Sequence, residues 1–69
     1  MTIYEIKARI SNQSHYFDRE TLKFFKQTLK MFKVLKQPDG RFYFYAPLPG
    51  GRSYSERFYN PVTNTIESK

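Results

Sequence analysis

Residues 41 to 47 read RFYFYAP, with four aromatic rings in succession. Neighbouring side chains of a β-strand point to opposite faces of its sheet. The stretch therefore places Phe42 and Phe44 on one face. Tyr43 and Tyr45 fall on the other, in step with Arg41. A short chain has few elements with which to cover two aromatic faces, so this alternation asks what meets the second one.

The chain has 69 residues, the size of one domain and too small for two cores or a deep cleft between lobes. A core this small must be efficient. Phe and Tyr together make up 19% of the residues, and each ring buries much area for few rotatable bonds. Without cysteine there are no disulfides and no thiolate metal sites, which fits a reducing compartment. MTIYEIKARI is mixed throughout, so neither a signal peptide nor a membrane span is expected, and the expected location is cytoplasmic.

Residues 3 to 10, IYEIKARI, alternate: Tyr4, Ile6, Ala8 and Ile10 against Glu5, Lys7 and Arg9. This predicts a half-buried first strand. Asp18 suits an N-cap, with Phe17 and Leu22 at the hydrophobic-staple positions, and predicts a helix from about 18 to 32. At 100° per residue, Leu22, Phe24, Phe25, Thr28, Leu29, Met31 and Phe32 share one half of that helix. Arg19, Glu20, Lys23, Lys26, Gln27, Lys30 and Lys33 share the other. QPDGR predicts a type I hairpin turn, with or without a bulge, between VLK and the aromatic strand. LPGGRS is a looser loop, YSERFY a further strand, and TIES a short last one. In NPVTN, Pro61 presets φ and Asn64 suits the left-handed region.

The expected fold class is α+β: a single small domain spanning 1–69, ordered β-α-β-β-β(-β), with one helix packed on a mostly antiparallel sheet. The helix-side layer would include Ile6, Ala8, Ile10, Phe42, Phe44 and Phe58. Glu56 fits badly there, so either a bulge or edge position lets it reach water, or the parity of that strand is off by one.

With this parity the open sheet face carries Lys7, Arg9, Arg41, Tyr43, Tyr45, Arg57 and Tyr59. Rings interleaved with cations suit single-stranded nucleic acid, because bases stack and arginines meet phosphates. Tyrosine and arginine equally anchor protein interfaces. Tyrosine also simply favours strands. The net charge of +6 favours polyanions, either nucleic acid or an acidic protein surface, although a basic balance also serves solubility. The helix offers a second basic surface, Arg19, Lys23, Lys26, Lys30 and Lys33, whose usual meaning is a solvated face. As a DNA contact it would address phosphates rather than bases. A membrane-surface role conflicts with the need of its apolar half for the core.

Catalysis has little support. His15 is the only histidine, which excludes a two-histidine metal site, and Asp18 is better explained as a cap than as its partner. Ser14, Ser53 and Ser55 lack a nucleophile elbow or base partner. Gly50, Gly51 and Arg52 can cradle one phosphate but lack the lysine and helix start of a nucleotide-binding loop. No catalytic residue, metal or cofactor is assigned.

HYFDRETLKFF, followed by a short hairpin and RSYSERFYNPVTNTIES, resembles a group of small proteins of unknown function carried by phages and other mobile elements. In that group an aromatic–Asp–x–x–Thr–[Leu/Met]–x–Phe–Phe helix start precedes an Arg–x–Tyr–Asn–Pro–x–Thr–Gly–x–Ile ending. This chain departs in carrying Phe58 before Tyr59, and Asn64 in place of Gly. The resemblance supplies no catalytic residues. It implies a non-enzymatic accessory protein that acts on nucleic acid or on a host nucleoprotein, inhibition of a CRISPR effector being one form by analogy. The alternative is a protein-interaction module that docks an acidic partner or pairs with itself as a homodimer.

Overall fold

A computed structural model describes residues 1–47 and 53–68. Two helices, α1 (Ile3–Ile10) and α2 (Arg19–Gln27), precede four strands: β1 (Leu35–Lys36), β2 (Phe42–Pro47), β3 (Tyr54–Asn60) and β4 (Thr65–Glu67). The strands form one antiparallel sheet in the order β1-β2-β3-β4. The fold is α+β, with both helices contributing to the layer on one face of the sheet.

The predicted strand over residues 3–10 is instead a helix. Thr2 and Glu5 form a capping box: the Glu5 amide donates to Thr2 Oγ1 at 3.1 Å, and the Thr2 amide reaches Glu5 Oε1 at 3.4 Å. This satisfies backbone donors that a helix start leaves free. Ile6 and Ile10, one turn apart, are buried, whereas Tyr4, which alternation groups with them, is exposed.

Asp18 caps α2 as expected, its Oδ1 accepting the Thr21 amide at 2.8 Å. Two hydrogen bonds to Thr21, first from the side chain and then from the backbone, hold the Asp18 carboxyl below its ordinary value. The helix ends at Gln27, short of residue 32. The Thr28 hydroxyl donates back to the Phe24 carbonyl at 2.9 Å, and Thr28 has left helical geometry (φ −107°, ψ 20°). Met31 and Phe32 then turn on the Thr28 carbonyl. The basic stripe is therefore divided: Arg19, Lys23 and Lys26 lie on the helix, while Lys30 and Lys33 lie beyond it.

The QPDGR hairpin forms with its bulge. Gly40 N–H donates to the Gln37 carbonyl at 3.0 Å, Gln37 N–H donates to Arg41 O at 2.7 Å, and Gly40 sits at φ 91°. A side chain at that φ is strained, so glycine is the fitting residue.

The core comprises Ile6, Ile10, Phe17, Phe25, Val34, Phe42, Phe44, Ala46 and Tyr59, flanked by Leu22, Phe32 and Ile66. Phe25 is its hub, with ring centroids 4.9 Å from Phe17, 5.0 Å from Phe32 and 6.3 Å from Phe44. Phe42 and Phe44 face the helices as expected, but the parity of β3 is one residue off. Phe42 pairs Tyr59 and Phe44 pairs Arg57, so Tyr59, Arg57 and Ser55 share the helix-side face. Phe58, Glu56 and Tyr54 share the open one. This removes the misfit of Glu56, which reaches water there.

Candidate interaction surface

The open face is built from the odd positions of β2 and the even positions of β3. Tyr43 lies opposite Leu35 on one side and Phe58 on the other, and Tyr45 lies opposite Glu56. Tyr43 stacks edge-on with Tyr45 at 5.9 Å and with Phe58 at 5.6 Å, and its hydroxyl donates to Glu56 Oε1 at 3.2 Å. Desolvation, then hydrogen bonding with Tyr45 and Glu56, pushes the Tyr43 hydroxyl up to about 12.

The cations expected among these rings are placed otherwise. Lys7 and Arg9 lie on α1, and the Lys7 ammonium sits 5.5 Å from the centre of the Phe32 ring. Arg57 turns to the helix side, where its Nε donates to the Tyr16 hydroxyl at 2.7 Å and its Nη1 to Ser55 and the Glu56 carbonyl. Arg41 remains at the margin of the open face, stacked 4.4 Å over Phe58, but it is paired with Asp39 at 2.8 Å and with Glu67 at 3.0 Å. Tyr59, expected to stack outward, is fully buried, and its hydroxyl donates to Asn64 Oδ1. Of the seven residues assigned to a cationic aromatic face, only Tyr43, Tyr45 and Arg41 lie there. Glu56 and Glu67 add negative charge beside them.

The aromatic surface instead continues around the edge of the sheet. β1 is two residues long, so among the described residues the far half of β2 has no strand beside it on that side. The segment after α2 passes there and leaves two joined hollows of about 460 and about 230 Å³, which share Met31, Phe32, Tyr45 and Tyr54. Leu35, Tyr43 and Lys33 line one, and Phe24, Thr28 and Pro47 the other. Met31 is 79% exposed, Tyr45 56% and Tyr54 55%, with Leu35 and Phe24 also exposed. Sequence reasoning missed this groove because it placed Phe24 and Met31 on the buried half of a helix running to residue 32.

Arg19, Lys23, Lys26, Lys30 and Lys33 are exposed, and none of them forms an ion pair among the described residues. His15 is exposed in the turn before α2, where Asp18 accepts from Thr21. The described residues hold no cluster of three metal-ligating side chains and no helix long and apolar enough to cross a membrane. The phosphate cradle read in Gly50, Gly51 and Arg52 lies outside the described residues. No family model, curated protein or solved structure matches the chain significantly.

Proposed function

We propose that this is a small non-enzymatic accessory protein, phage-like in kind, that docks a protein component of a host nucleoprotein through its aromatic groove in the cytoplasm. The observation that carries the reading is the continuity of Met31, Leu35, Tyr45 and Tyr54, all more than half exposed, around one groove. Contiguous exposed apolar surface of this kind on a small chain marks interaction sites. Tyrosine anchors bind at low cost in conformational entropy. The resemblance to small mobile-element proteins supports a host target.

The test is capture from host lysate with the full chain as bait, with and without nuclease, beside a Tyr45→Ser, Met31→Ser variant of unchanged fold. Loss of a specific protein with the variant supports docking through the groove. Undiminished capture overturns it.

A second reading is favoured by the five cations on and after α2 that form no ion pair among the described residues: direct binding of a nucleic-acid backbone. Affinity for mixed-sequence DNA or RNA would then fall steeply with salt, and with Lys23→Glu, Lys26→Glu, while Tyr45→Ser leaves it intact. No binding at low salt removes this reading.

A further inference from the structure

In an antiparallel ladder, successive residues of a central strand address their backbone groups alternately to the two neighbours. Gln37 N–H donates to Arg41 O at 2.7 Å, so on β2 the backbone groups of Tyr43 and Tyr45 point toward the β1 side. Leu35 takes up Tyr43. The position opposite Tyr45 belongs to Lys33, which lies outside β1. No backbone hydrogen bond reaches Tyr45 across that edge among the described residues. The joined hollows lie along this same stretch, between Met31 and Phe32 on one side and Tyr45 and Pro47 on the other.

We propose that this uncovered edge of β2 takes an extended segment of an acidic partner protein, which pairs its backbone with Tyr45 and seats alternate apolar side chains between Met31, Tyr45 and Tyr54. The inference rests on the docking reading above and specifies its partner. Unpaired strand edges recruit extended chains, with backbone bonds supplying affinity and alternate pockets supplying specificity. Charge selects the occupant. Lys30 and Lys33 are exposed and free of ion pairs among the described residues, and Lys33 lines the hollow. Acidic residues flanking the apolar positions of the incoming segment complement them. A second copy of this chain would bring its own Lys30 and Lys33 to the same edge, and like charges facing each other across paired strands are destabilising.

The probe is an end-blocked synthetic peptide alternating glutamate with valine and phenylalanine, added to the full chain. The readouts are affinity and amide hydrogen exchange. The Tyr45 amide should exchange freely in the protein alone and become protected when the peptide saturates it. N-methylation of the peptide at the positions facing β2 should weaken binding about tenfold, the loss expected for one or two backbone hydrogen bonds. Lys30→Glu, Lys33→Glu should reverse the preference between this peptide and one with lysines in place of its glutamates.

A Tyr45 amide already protected in the free protein overturns the proposal. So does binding that is indifferent to N-methylation, or no binding at all. Protection that grows with protein concentration and no peptide would identify a second copy as the occupant and also overturn it. If the peptide fails while Tyr45→Ser still abolishes capture of the host protein, this inference falls and the docking reading stands. If Tyr45→Ser leaves capture intact, the docking reading itself falls.

Discussion

The buried hydroxyl of Tyr59 donates to Oδ1 of Asn64, five residues on, and the same oxygen receives the Gln13 amide at 3.0 Å. Asn64 holds this position with φ at 55°, in the left-handed region that few side chains other than Asn and Gly tolerate. One residue thus turns the chain between β3 and β4 and serves two buried donors.

Asn64→Gly should expose the value of the carboxamide. Glycine accepts the backbone conformation but leaves the Tyr59 hydroxyl without its acceptor and the Gln13 amide with the Arg9 carbonyl alone, at a cost of about 1–3 kcal/mol. Asn64→Ala should cost more, because the left-handed strain of about 1–2 kcal/mol is added to the same loss. Chemical denaturation checks both. Equal stability of the two variants would show that the backbone strain is absent.

The adjacent rings Phe24 and Phe25 should respond very differently to truncation. Phe25→Ala removes the hub of the core and should cost about 3–5 kcal/mol, enough to unfold a domain of this size. Phe24→Ser should cost less, about 1 kcal/mol, because Phe24 is partly exposed along the groove and keeps only its outer contact with Phe25. Circular dichroism melts distinguish the pair.

Acid should destabilise the fold through two exposed carboxylates. Asp18 is held below its ordinary value by its hydrogen bonds to Thr21, and Asp39 by those from the Arg41 backbone and side chain. Each is more acidic folded than unfolded. The stability each contributes is therefore present above about pH 4 and is lost as pH falls through the lowered folded value. Asp18→Asn keeps a capping side chain, so melting temperatures across this acid range should fall less steeply, the Asp39 contribution remaining, while the neutral-pH value stays close to that of the parent.

Alkali should reveal Tyr43. Its hydroxyl is pushed up to about 12, so the folded state favours the protonated ring. That contribution is intact below the ordinary value near 10 and is lost as pH rises toward 12. Spectrophotometric titration of the folded chain should show a late contribution from Tyr43 that Tyr43→Phe removes. A titration unchanged by Tyr43→Phe would contradict the environment described for it.

The aromatic strand, the bulged turn at Gly40, the Asp18 cap and the left-handed Asn64 were all legible, because each rests on chemistry contained within a few residues. Two features were misread for reasons of period and pairing. In IYEIKARI, Ile6 and Ile10 satisfy both a two-residue and a helical repeat, so alternation alone does not decide. The deciding signal was Thr2 followed three residues later by Glu5, a capping box ahead of an apolar run. In β3, parity depends on the partner strand rather than on the strand itself. Glu56 marked the error, since no account of a buried face accommodates it. Arg57 disguised the error: it sits on the helix-side face but carries its charge outward to Tyr16 and Ser55. The groove was illegible for a further reason. It follows from where α2 stops and where β1 starts, and element boundaries are the least determined part of any sequence pattern.

Every strand lies beside its sequence neighbour, so the sheet can zip from one turn to the next with little loop-closure entropy. The layer built by α1 is different. The turn that follows α1 meets the turn between β3 and β4 from the far end of the chain, the contact from Gln13 to Asn64 spanning 51 positions. Loop-closure entropy therefore predicts that this long-range contact forms after the neighbouring strands have paired, even though the sheet needs Ile6 and Ile10 to complete its core.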